Sequence, residues 1–127
     1  MESIIVGVDW TGVLLGTVLA FGLGWLWYSE AVFGKKWRAG LGSGGVMESR
    51  MVMSMVAQVV ATFLLAWVIG VTKVHDDIWL AVLVTLMLVA MIKTNGFFSG
   101  KTKTTIAIET GYIVVMVVIM LLVQMIL

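Results

Sequence analysis

From Trp10 to Ser29 the chain runs for 20 residues without a charged side chain. At ~1.5 Å per helical residue that is about 30 Å, the hydrocarbon thickness of a bilayer. Inside lipid the backbone must satisfy its own hydrogen bonds, so such a stretch can only be a helix. It closes on Trp25, Trp27 and Tyr28, and the basic, aromatic segment AVFGKKWR begins at Ala31. Aromatics followed by Lys and Arg mark a helix leaving the membrane at the headgroups. Trp25, Trp27, Tyr28 and Trp37 are the expected interfacial anchors.

Three further apolar stretches follow. The spans are expected at about 9–29, 51–72, 78–98 and 104–127, giving one all-α membrane domain over 1–127. Its fold class is an antiparallel bundle of four transmembrane helices, with a loop over 30–50. Composition agrees: 61% of residues are hydrophobic and 12% charged, and mean hydropathy is +1.13. A soluble domain of 127 residues has too little interior for that much apolar surface.

Orientation follows from the cations. The first loop carries Lys35, Lys36, Arg38 and Arg50, and the third turn region carries Lys93, Lys101 and Lys103. The second turn has Lys73 beside Asp76 and Asp77, and the N-terminal arm MESIIVGVD has no Lys or Arg. The positive-inside rule places the first and third loops in the cytoplasm and both termini outside, in an inner membrane. The arm also lacks the basic start of a cleaved signal, so the first span is expected to be retained. Asp9 is expected to cap span one, and Asp76 or Asp77 span three. In the first loop AVFGKKWR suits a segment lying along the headgroups, GLGSGG reads as linker, and Asn95–Gly96 is the expected start of the break-up of span three.

Gly12, Gly16, Ala20 and Gly24 recur every four residues and make a narrow stripe without bulky side chains. Such a stripe admits another helix at close range. It is a packing seam either for a sister chain or for another span of the same chain.

Polar groups in the apolar phase are the best pointers to a site. Lys93, near the end of span three, and Glu109, near the start of span four, lie at similar depth in an antiparallel hairpin. A contact between them is expected, the alternative being that each reaches the headgroups separately. Tyr112 stands one turn from Glu109 on the same face. Gln58 is the strongly polar group well inside span two and is expected to hydrogen-bond to another helix. Glu109, Lys93, Tyr112 and Gln58 form the candidate polar site.

Other chemistry finds little footing. The absence of Cys removes thiol catalysis and zinc-thiolate sites, and the net charge of +1 gives no nucleic-acid footprint. His75-Asp76-Asp77 is a run of adjacent residues, which rarely converge on one ion. No nucleophile–base pair or cofactor motif is present, so no enzyme activity, cofactor or metal is expected.

The run Gly24-Trp25-Leu26-Trp27-Tyr28-Ser29, followed by Phe33-Gly34-Lys35-Lys36-Trp37, resembles the opening signature of domain-of-unknown-function family 1761. Later, Phe97-Phe98, Gly100-Lys101 and Ile108-Glu109-Thr110-Gly111-Tyr112 resemble that family's span-four opening. The resemblance implies a small four-span membrane protein and brings no activity with it. Glu30 stands where a Pro commonly follows the Trp-Tyr-Ser, and Ile113 where a His often follows the Tyr; the second departure speaks against a proton relay through a His there. Two functions remain. One is a small homo-oligomeric protein that binds or transports a solute or ion of unknown identity, with an acidic site in span four. The other is a structural or accessory membrane subunit.

Overall fold

Asp9 starts the first long helix. Its carboxylate accepts a hydrogen bond from the Gly12 amide at 3.1 Å, filling one of the orphan donors at the helix N-terminus. The computed structural model describes residues 2–29, 31–40 and 51–126. Among the described residues six helices follow in order: α1 (Glu2–Ile5), α2 (Trp10–Trp27), α3 (Gly34–Ala39), α4 (Met51–Val74), α5 (Ile78–Phe98) and α6 (Lys103–Ile126). Among the described residues there is no strand. Helices α2, α4, α5 and α6 are long and apolar enough to cross a membrane. The chain is therefore an all-α, multi-pass membrane protein. Apart from Gly40, the expected linker over 40–45 lies outside the described residues.

The turns between spans are set by local chemistry. At the end of α4, Asp76 takes φ 51°, and the amides of Asp76 and Asp77 bond back to the carbonyls of Lys73 and Thr72. Those two bonds terminate the helix in the Schellman pattern. Asp77 then caps α5 through the Trp79 amide at 3.2 Å. At the other end of α5 the same pattern recurs. Gly100 has φ 80°, and the amides of Gly100 and Lys101 reach the carbonyls of Phe97 and Gly96. The break-up expected at Asn95–Gly96 is corrected: α5 continues to Phe98 and ends at Gly100, the glycine that can adopt positive φ. Gly96 is buried for a different reason, since a Cβ there would stand 2.6 Å from Ile106 of α6.

Three of the four spans make the core. Helices α2, α4 and α6 meet around Val13, Ala20, Leu65, Ile69, Met116 and Met120. Helix α5 packs chiefly on α6 and buries only Ala81 and Gly96. Its outer face of Trp79, Leu83, Leu86 and Phe98 is exposed. In water so long an apolar face would drive association, whereas acyl chains solvate it.

The small-residue stripe of α2 faces α6 in antiparallel register. A Cβ on Gly12 would touch the Gln124 amide, one on Gly16 would touch Met120, and one on Gly24 would touch the Tyr112 hydroxyl. Ala20 is fully buried between them. Every fourth residue along α2 thus answers every fourth residue back along α6. The stripe is filled by large side chains of its own chain, so it offers no free seam to a sister copy.

Candidate functional site

At the end of the bundle that carries the basic first loop, α3 folds back onto the start of α6. Trp37 is the hinge of that contact. Its indole N–H donates to Glu109 Oε2 at 3.1 Å, and its carbonyl accepts from the Thr105 hydroxyl at 2.9 Å. The Thr102 amide donates to the Gly40 carbonyl at 2.9 Å. Gly34, at the start of α3, is buried, and a Cβ there would lie 2.5 Å from the Tyr28 carbonyl oxygen. The chain can turn this tightly only with glycine at that position.

Glu109 is the ionic centre. Lys101 Nζ stands 2.9 Å from Oε2 and 3.2 Å from Oε1. With the Trp37 N–H the carboxylate receives three charge-assisted hydrogen bonds while 16% of its side chain stays exposed. The partner expected for Glu109 was Lys93, and the structure corrects this. Lys93 is exposed, and the cation on Glu109 comes from the turn. Depth alone does not decide such a pair. Helix α5 packs against the Ile106 flank of α6, whereas Glu109 faces α3. The Gly100 turn carries Lys101 round to that side.

Aromatic rings fill the space behind the carboxylate. Tyr28 meets Trp37 edge-on at 4.9 Å between centroids and Tyr112 at 5.5 Å. Trp27 lies 4.7 Å from Phe33, and its indole N–H donates to the Ile108 carbonyl at 3.0 Å. Such edge contacts add ~1 kcal/mol each beyond the area they bury. An aromatic belt was expected from Trp25, Trp27, Tyr28 and Trp37. The structure splits it: Trp25 is 83% exposed, while Trp27 and Tyr28 turn inward and join spans one and four, and Trp37 joins α3 to span four.

Tyr112 is 3% exposed and donates its hydroxyl proton to the Ala20 carbonyl at 2.6 Å. Gln58 lies near that hydroxyl. The Gln58 amide donates to Thr62 on its own helix at 3.3 Å, and the Tyr112 hydroxyl beside it belongs to another helix, the kind of neighbour expected of it. Of the four candidate polar residues, Glu109, Tyr112 and Gln58 lie on the inner faces at this end, and Lys93 does not.

Gln124 escaped the sequence reading, as did the buried hydroxyl of Thr105. Gln124 is 2% exposed, and neither polar atom of its side-chain amide has a hydrogen-bond partner among the described residues. It sits between Gly12 and Gly70 at the opposite end, and Lys73 donates to its backbone carbonyl. Its phase was visible beforehand: 112, 116, 120 and 124 form one row of α6, the row that meets the glycine stripe. No three His, Asp or Glu side chains cluster to hold a metal among the described residues.

The geometry draws together two stretches far apart in the chain. Gly24, Trp27, Tyr28 and Trp37 come from one, and Lys101, Ile108, Glu109 and Tyr112 from the other. Those are residues that carry the family resemblance. The family model described as a protein of unknown function, DUF1761, matches residues 11–125. The chain belongs to this family. No curated protein and no solved structure matches it. For this DUF1761 chain, the two signature segments are the two halves of a single packed cluster. Of its departures from the pattern, Ile113 is half-buried beside the core, and Glu30 lies outside the described residues.

Proposed function

We propose that the chain is an accessory membrane protein that holds a basic interfacial helix against one face of the bilayer. The observation that carries this reading is the state of Glu109. A carboxylate meant to bind and release a cation or proton needs accessible lone pairs and a path to them. Here Lys101 and Trp37 occupy the carboxylate, and its bonds fasten α3 to α6. The role is one of joining elements. In this reading the chain is no enzyme, its surroundings are the lipid bilayer, and α3 lies on the cytoplasmic side with both termini outside. The competing transport reading relied on a homo-oligomer, and the stripe that suggested a seam is occupied within the chain.

The exchange Glu109→Gln separates the two. It keeps the acceptor for Trp37 and removes the charge that faces Lys101. In detergent the variant should lose thermal stability, and vesicles containing either protein should show no proton or solute flux above empty vesicles. Flux through the wild-type chain that vanishes in a fully stable Glu109→Gln would sink the proposal in favour of transport.

A further inference from the structure

Between α3 and the first turn of α6 runs an open groove of about 250 Å³, lined by Trp27, Phe33, Lys36, Thr104, Ala107 and Ile108. Its layout is amphiphilic along the axis of α6. Lys36 and Thr104 stand at the end where α6 begins. Ala107 and Ile108 lie one turn of α6 deeper, ~5 Å further in. Trp27 has its only polar atom bonded to the Ile108 carbonyl, so its ring offers the groove an apolar wall. Phe33 packs against that ring at 4.7 Å.

The charge near the groove is positive. Lys36 lines its mouth, Lys35 and Lys103, next in sequence to the lining residues Lys36 and Thr104, are exposed, and Lys101 is neutralised by Glu109. Cationic mouth and apolar floor, at the depth where headgroup gives way to hydrocarbon, match one class of molecule. We infer that this groove binds an anionic phospholipid. The phosphate sits by the Lys36 ammonium and the Thr104 hydroxyl. The upper part of one acyl chain lies along Trp27, Phe33, Ala107 and Ile108, and the rest of the lipid stays in the bilayer. A soluble acidic peptide fits less well, since the floor lies between two membrane spans. The inference goes beyond the joining role of Glu109, since neither Glu109, Lys101 nor Trp37 lines the groove.

The test uses the full chain in detergent, titrated with phosphatidylglycerol or phosphatidylcholine and read by native mass spectrometry. One phosphatidylglycerol should bind in preference to phosphatidylcholine. Lys36→Gln should weaken that binding about fivefold, the effect of one cation near an anionic surface. Lys93→Gln, which removes an exposed cation from the same end but away from the groove, should leave it unchanged. Ala107→Trp fills the floor without altering charge and should weaken binding of phosphatidylglycerol as well; Ala107→Leu replaces it if the larger residue prevents folding. Equal losses in Lys36→Gln and Lys93→Gln would mean diffuse attraction and overturn the site. Equal binding of the two lipids, or undiminished binding with the floor filled, would overturn it too.

Discussion

The two ends of the bundle handle buried polarity in opposite ways. At the basic-loop end, Glu109, Trp37, Trp27, Tyr112 and Thr105 each spend a polar group on a partner from another element. At the opposite end, the Gln124 amide lies between two glycines with neither polar atom bonded among the described residues. Directed bonds between elements occur at both ends, Trp67 to the Ile4 carbonyl and Lys73 to the Gln124 carbonyl among them at the second, but there a fully buried side-chain amide is left without a partner among the described residues. A buried polar group contributes little when paired and costs most when left alone. The first end should therefore be intolerant of change, and the second should have room for improvement.

The sharpest way to break that contrast is at Gly24. A Cβ there would stand 2.6 Å from the Tyr112 hydroxyl, so Gly24→Leu must displace the ring that closes the cluster. A loss of about 3 kcal/mol is expected by thermal or denaturant unfolding in detergent. Wild-type stability would show that the cluster is loosely packed. Next comes Glu109→Gln, which weakens the tie to Lys101 in a partly exposed site and should cost about 1 kcal/mol. Gln124→Met keeps the shape and removes both unbonded atoms, so it should gain about 1 kcal/mol. A loss on that exchange would show that the amide has partners and that the two ends are alike. The smallest effect belongs to the turn after α4. Asp76 holds φ 51°, a conformation that glycine adopts without steric cost, and Asp76→Gly should gain about 0.5 kcal/mol in the same assay.

The contrast also separates what the sequence made legible from what it did not. Depth was legible. Apolar length gave four helices able to cross a membrane, and Asp9, with Asp76 or Asp77, could be read as caps because a carboxylate before an apolar run meets free N–H groups. Azimuth was not. Whether Lys93 or Lys101 reaches Glu109 depends on which flank of α6 receives α5, and nothing local in the chain encodes that choice. The same gap explains Trp27, whose place beside an interface fitted a belt. Its actual orientation is set by the Ile108 carbonyl on a helix 81 positions away. The glycine stripe lay between these cases. Its spacing announced a close contact, and only the matching row on α6 identified the partner.

That pairing of α2 with α6 is what brings the two signature segments together, and it can be measured directly. The chain has no cysteine, and a Cβ on Gly16 would lie 3.9 Å from the Cβ of Met120, within disulfide reach. Gly16→Cys combined with Met120→Cys, oxidised in native membranes, should close a bond inside one chain, giving a monomer whose mobility changes on reduction. A covalent dimer formed by that pair, with no internal bond, would place the stripe between copies and contradict the account.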